Sequence, residues 1–130
     1  MVAARSSLFR FLLVGFVNTA AGLGTMWIVV TVAGANDVVA NVAGYTVGLT
    51  VSFTLNRRWS FTFQGDGRRA LLRFLLVFGV AYAANLGAVL WLIHRTRLDP
   101  FVCQMVGTVP YTTLFYLGCR YFAFRTPRKP

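Results

Sequence analysis

The sequence predicts an all-α integral membrane protein: four transmembrane helices built from two parallel two-helix repeats, with N and C termini cytoplasmic. Three observations carry this prediction. Charged residues make up only 12% of the 130, against 57% hydrophobic. That is about half the charged share of a soluble domain, too little to cover a water-facing surface. Four stretches long enough for lipid are free of charge, and part of the first recurs in the third.

A hydrocarbon core of about 30 Å, crossed at 1.5 Å per residue, needs about 20 apolar residues in a helix. Phe11 to Val32, Val38 to Leu55, Phe74 to Ile93 and Phe101 to Cys119 contain no Asp, Glu, Lys, Arg or His. Helices are therefore expected over about 11–32, 38–55, 74–93 and 101–119. Open strands would leave backbone groups unpaired in lipid, and the alternating polarity of a porin-like barrel is missing. The first run follows Arg5 and Arg10 and ends at Ala33-Gly34-Ala35, which resembles a signal-peptidase site. Its 22 residues exceed the 7–15 of a signal h-region, so a retained helix is expected.

Arg10-Phe11-Leu12-Leu13-Val14 recurs as Arg73-Phe74-Leu75-Leu76-Val77, and over residues 10–24 ten of fifteen positions are identical to those 63 residues later. The offset continues into the next helix, pairing Gly44 with Gly107, Phe53 with Tyr116, Arg57 with Arg120, Trp59 with Phe122 and Phe61 with Phe124. The repeats run over about 10–62 and 73–125. Each crosses twice and returns to its starting side, so the copies point the same way, as in parallel-repeat transporters.

Eleven of the thirteen basic residues lie before the first helix, in the middle loop or after the last helix; only Arg95 and Arg97 lie on the other side. By the positive-inside rule the middle loop and both termini are cytoplasmic. Arg68, Arg69, Arg128 and Lys129 fit orientation and attraction to anionic lipids. Arg10 with Arg73 and Arg57 with Arg120 are repeat-related pairs at helix ends. They serve either as a phosphate collar, for which the planar guanidinium fork is suited, or as snorkelling side chains.

Inside the membrane, Asn41, Gly44, Gly48 and Ser52 share one helix face, with a GxxxG pattern that permits close helix approach. Gln104 is the repeat partner of Asn41; the two amides either bond each other or line a path for sugar hydroxyls. Asn18 and Asn85 add polar groups nearer mid-membrane. Pro110 removes a backbone donor from the fourth helix.

Enzyme chemistry is poorly supplied. Asp66 is the only cytoplasmic carboxylate and His94 the only histidine, so neither a carboxylate pair nor a histidine-based metal site is expected, and no cofactor. Cys103 and Cys119, roughly 24 Å apart along one helix, cannot bridge. The basic residues border membrane spans, which excludes nucleic acid as the expected partner. No acid lies within a span, so proton-coupled export is disfavoured.

Phe11, Val14 and Gly15 opening the first helix and Asn56-Arg57-Arg58-Trp59-Ser60-Phe61 closing the second, in a small basic chain of four predicted spans, resemble the GtrA-like family. The likeness covers Arg10 to Phe124. It implies a bacterial inner-membrane protein of cell-surface polysaccharide or cell-wall glycan synthesis. Such a protein moves polyprenyl-phosphate-linked sugars across the membrane, or anchors and organises a partner glycosyltransferase. It carries the family motif onto Asn56, Arg57 and Trp59; in the second copy Cys119, Tyr121 and Phe122 replace the Asn, the second Arg and the Trp. Trp59, Phe61, Phe122 and Phe124 either pack on sugar and lipid chain or form an interfacial belt. Four short helices enclose little interior, which points to a homo-oligomer.

Overall fold

The computed structural model describes residues 2–126; Arg128 and Lys129 lie outside the described residues. Within them the chain is helical and without strands: α1 (Val2–Thr31), α2 (Asp37–Leu55) continued by a π-helical turn (Asn56–Ser60), α3 (Gly67–Arg95), and α4 (Pro100–Gly118) continued by a second π-helical turn (Cys119–Ala123). Three stretches, Ala3–Thr31, Asp37–Ser60 and Gly67–Arg95, are long and apolar enough to cross a membrane. The 19 residues of α4 are diluted by Gln104, Thr108, Pro110, Tyr111, Thr112 and Thr113. Large apolar side chains face outward along the helices, Phe16 at 77% and Trp27 at 66% exposure, as expected of surface meant for lipid rather than water.

The helices outrun the charge-free stretches. α1 starts nine residues before Phe11 and α3 seven before Phe74. An arginine is a good helix former, so charge marks where lipid ends and not where the helix does. Each acidic residue lies at a helix start. Asp66 accepts from the Arg68 N–H at 3.0 Å and Asp99 from the Phe101 N–H at 2.8 Å; Asp37 stands in the first turn of α2, whose cap Asn36 accepts from the Val39 N–H at 2.9 Å. These oxygens satisfy donors that a helix start leaves unpaired, beside the positive end of its dipole. In the Ala33-Gly34-Ala35 segment, Gly34 takes φ +63°, the left-handed turn that a side chain disfavours, and α1 gives way to α2.

The chain forms two compact units, Met1–Gln64 and Gly65–Pro130, each a helical hairpin. In the first, contacts pair falling positions of α1 with rising positions of α2, so the helices are antiparallel. A Cβ on Gly44 would lie 2.8 Å from the Gly22 carbonyl oxygen and run into Met26, and one on Gly48 would lie 3.3 Å from the Asn18 carbonyl oxygen. Further along, Phe11 meets Phe61 at 6.1 Å between ring centroids. The second hairpin is built alike from α3 and α4. A Cβ on Gly107 would run into Val89 and lie 3.2 Å from Asn85 Nδ2; Phe74, fully buried, packs on Phe115 at 5.3 Å and Phe124 at 6.1 Å. α4 runs unbroken through Pro110.

Lipid is as apolar as leucine, so these seams rest on van der Waals contact and not on exclusion of water. Gly44→Ala sets a methyl against backbone. It should lower stability in detergent by about 1–3 kcal/mol, whereas Gly24→Ala, where a Cβ meets nothing within 4 Å, should be neutral or gain up to about 1 kcal/mol from helix propensity. Equal thermal-unfolding shifts for the two variants would remove Gly44 from the seam.

Candidate functional site

The two π turns are where the basic and aromatic residues gather. Each closes with an i+5 bond: the Phe61 N–H donates to the Asn56 carbonyl oxygen at 2.9 Å, and the Phe124 N–H to the Cys119 carbonyl oxygen at 2.9 Å. Such turns are rare and concentrate at functional sites. Directly beyond the first, Thr62 has φ 46°, a left-handed backbone uncommon for a β-branched residue.

In the first hairpin Arg10, on α1, spans to the π turn. Its Nη1 donates to the Trp59 carbonyl oxygen at 3.2 Å, and its guanidinium carbon lies 5.7 Å from the Trp59 ring centre. That carbonyl stands at a helix end, where it lacks an intrahelical donor, so Arg10 acts as a cap. A guanidinium has five N–H groups; the others remain for an anion. Arg57 is half-buried and Arg58 exposed on the same turn. Trp59 is 42% exposed with Arg10 over its ring, while Phe61 is taken up by the seam.

The second hairpin repeats part of this. Arg73 lies over the Phe122 ring at 5.4 Å, the pairing found 63 positions earlier between Arg10 and Trp59. Phe124 is buried against Phe74. Arg120 is engaged by its own helix: Nη1 donates to the Tyr116 hydroxyl at 2.7 Å, and the guanidinium lies over the rings of Tyr116 and Tyr121. The four arginines singled out by sequence therefore sit at equivalent ends of their hairpins, in two different settings. Arg10 and Arg73 clip the returning chain; Arg120 is held by tyrosines.

Asn56, at the head of the first π turn, is 1% exposed, and its Nδ2 donates to Ser52 Oγ at 3.2 Å. Ser52 and Ser60 are also buried. Ser60 escaped the sequence reading, although the four-residue spacing of Ser52, Asn56 and Ser60 continues the polar stripe noted on α2. Of the intramembrane polar residues, Asn18 and Asn85 are half-buried, each with backbone or side-chain atoms close to its hairpin's glycine seam. Asn41 and Gln104 lie on exposed helix faces.

Long apolar helices paired in hairpins, with arginine–aromatic turns at the hairpin ends, define a small helical integral membrane protein. The family follows: residues 10–124 match the family described as GtrA/DPMS, transmembrane domain, and the chain belongs to it. It is also similar to the uncharacterized membrane protein YngA of Bacillus subtilis (strain 168), at 26% identity over 120 residues, 91% of this chain and 79% of that protein.

The two clips differ in strength. Arg10→Ala loses a carbonyl bond as well as a ring contact and should cost about 1–2 kcal/mol. Arg73→Ala loses a ring contact and should cost about 0.5–1 kcal/mol. Denaturation of the purified variants in detergent measures both, and equal losses would leave the Trp59 carbonyl contact without weight.

Proposed function

We propose that this protein translocates a polyprenyl-phosphate-linked sugar across the bacterial inner membrane, for cell-surface polysaccharide or cell-wall glycan synthesis. Membership in the GtrA/DPMS transmembrane-domain family supports a role in the metabolism of lipid-linked sugars. The observation that carries the finer reading is the first π turn, where Arg10, Arg57 and the half-open Trp59 ring stand together at a hairpin end. A lipid-linked sugar has a phosphate at headgroup depth, a hydroxylated ring and an apolar tail. Guanidinium forks bind the first, an aromatic face and buried polar groups suit the second, and lipid-facing helix surfaces receive the third.

On this reading the chain is two copies of one hairpin making four spans, with α4 as the fourth and both termini cytoplasmic. It performs no covalent chemistry, the movement is equilibrative, and anionic lipids meet the remaining basic residues. Arg10, Asn56, Arg57 and Trp59 form the leading site; Arg73 and Arg120 are their counterparts on the second hairpin, with Arg120 weakened as a ligand by Tyr116 and Tyr121.

Proteoliposomes holding the purified protein should accelerate transbilayer movement of undecaprenyl-phosphoryl glucose or galactose, and Arg57→Ala should reduce the rate at least tenfold while still inserting. An unaccelerated rate for both probes would remove the translocase reading and favour the alternative, a membrane anchor for a glycosyltransferase, which co-purification would then detect. Orientation has its own test. Gln64→Cys in the middle loop should react with a membrane-impermeant maleimide only in opened cells, against a low background because Cys103 and Cys119 are buried; labelling in intact cells would reverse the topology.

A further inference from the structure

Polar side chains in these helices mostly satisfy themselves. Thr19, Thr25, Thr46, Thr50, Thr108 and Thr113 each donate to the carbonyl oxygen four residues earlier, the usual local solution in a helix. Among the described residues, two buried side-chain atoms have no hydrogen-bond partner: Asn56 Oδ1 and Ser60 Oγ. They belong to neighbouring positions of one π turn, in residues 1% and 5% exposed. Leaving such atoms unpaired in a low-dielectric setting is costly, and native structures rarely do so without a reason.

The second hairpin supplies the contrast. At the positions equivalent to Ser52, Asn56 and Ser60 it has Phe115, Cys119 and Ala123, all buried, around a π turn closed by the same i+5 bond. The turn therefore forms without polar side chains there, and the serine–asparagine–serine ladder of the first hairpin is not required by the backbone. It is an addition to one copy.

We propose that Asn56 Oδ1 and Ser60 Oγ form a recognition site for a hydroxyl group of the lipid-linked sugar, present in the first hairpin and absent from the second. This rests on the translocase reading and assigns its sugar selectivity. A hydroxyl donates one bond and accepts others, so one group satisfies both atoms: it donates to the amide oxygen, an acceptor, and accepts from the serine hydroxyl. Ser52 holds the Asn56 amide by its nitrogen, which leaves Oδ1 as the unanswered acceptor of that amide. Arg57 and Trp59 lie between Asn56 and Ser60 on the same turn, so phosphate and sugar of one molecule would meet residues of one five-residue segment. A site built around buried polar atoms rejects the analogue lacking the hydroxyl, because that analogue leaves them unpaired.

The test compares affinities of the full-length protein in nanodiscs for undecaprenyl phosphate and for undecaprenyl-phosphoryl glucose and galactose. Wild type should favour at least one glycosylated lipid by about tenfold or more. Ser60→Ala, and Asn56→Cys with Ser60→Ala, which install the second hairpin's own residues, should bring that ratio close to one. Ser60→Ala should unfold at the same temperature as wild type or higher, because it deletes an unpaired buried atom. A ratio unchanged in the variants, or a ratio of one in wild type with both lipids binding, overturns the hydroxyl site and leaves the phosphate reading standing. A less stable Ser60→Ala with its ratio intact assigns the serine a structural role and also overturns it. If none of the three lipids binds, the translocase reading falls and takes this inference with it.

Discussion

Inside lipid there is no water to receive a polar group, so each donor and acceptor has to be answered by the chain itself or by something the chain binds. Most features of this protein follow from that constraint. Within the helices threonines turn back on their own carbonyls, and Ser52 answers the buried Asn56 amide nitrogen. The same constraint forces glycines to the seams. With solvent exclusion unable to hold two helices together, backbones must come close enough for dispersion to do it, and Gly22 against Gly44 is the closest such approach in the first hairpin.

Against that background the two hairpins differ. They share second helices and π turns whose bounds lie 63 residues apart, and a cation held over an aromatic ring. They differ in what lies beneath the turn. The second hairpin fills its interior with the rings of Phe74, Phe115 and Phe124 and with Cys119, a dry packing that holds itself. The first places Asn56 and two serines in the corresponding space and leaves part of their bonding capacity unused within the chain. A frame common to both hairpins with a polar interior in one is the arrangement that the proposed single site, rather than a symmetric pair, requires.

Much of this architecture was legible in the residues. Charge-free runs located the apolar segments, because charge is what lipid excludes, and the spacing of Gly44 and Gly48 marked the face where α1 approaches. The offset of 63 singled out Arg10, Arg73, Trp59 and Phe122 one by one. It did not reveal that Arg10 lies on Trp59 or Arg73 on Phe122, since those contacts depend on each chain returning antiparallel with a particular register. Helix lengths were underestimated for a related reason: α1 and α3 continue through Arg10 and Arg73 because helical bonding is indifferent to where the bilayer stops. The π turns were out of reach altogether. One additional residue in a turn leaves no compositional trace, although the spacing of Ser52, Asn56 and Ser60 did place all three on one stripe.

The short connection at Gly34 has a consequence for how the chain is made. α1 and α2 are joined by a tight turn, and their seam joins Asn18, Gly22 and Met26 to Gly44 and Gly48, and Phe11 to Phe61. Those seam contacts can therefore form while the second hairpin is still being synthesised. A ribosome delivering the chain in order presents the membrane with one pair of helices and then another. The turn bearing Asn56 and Ser60 is thus assembled from the earliest part of the protein to arrive.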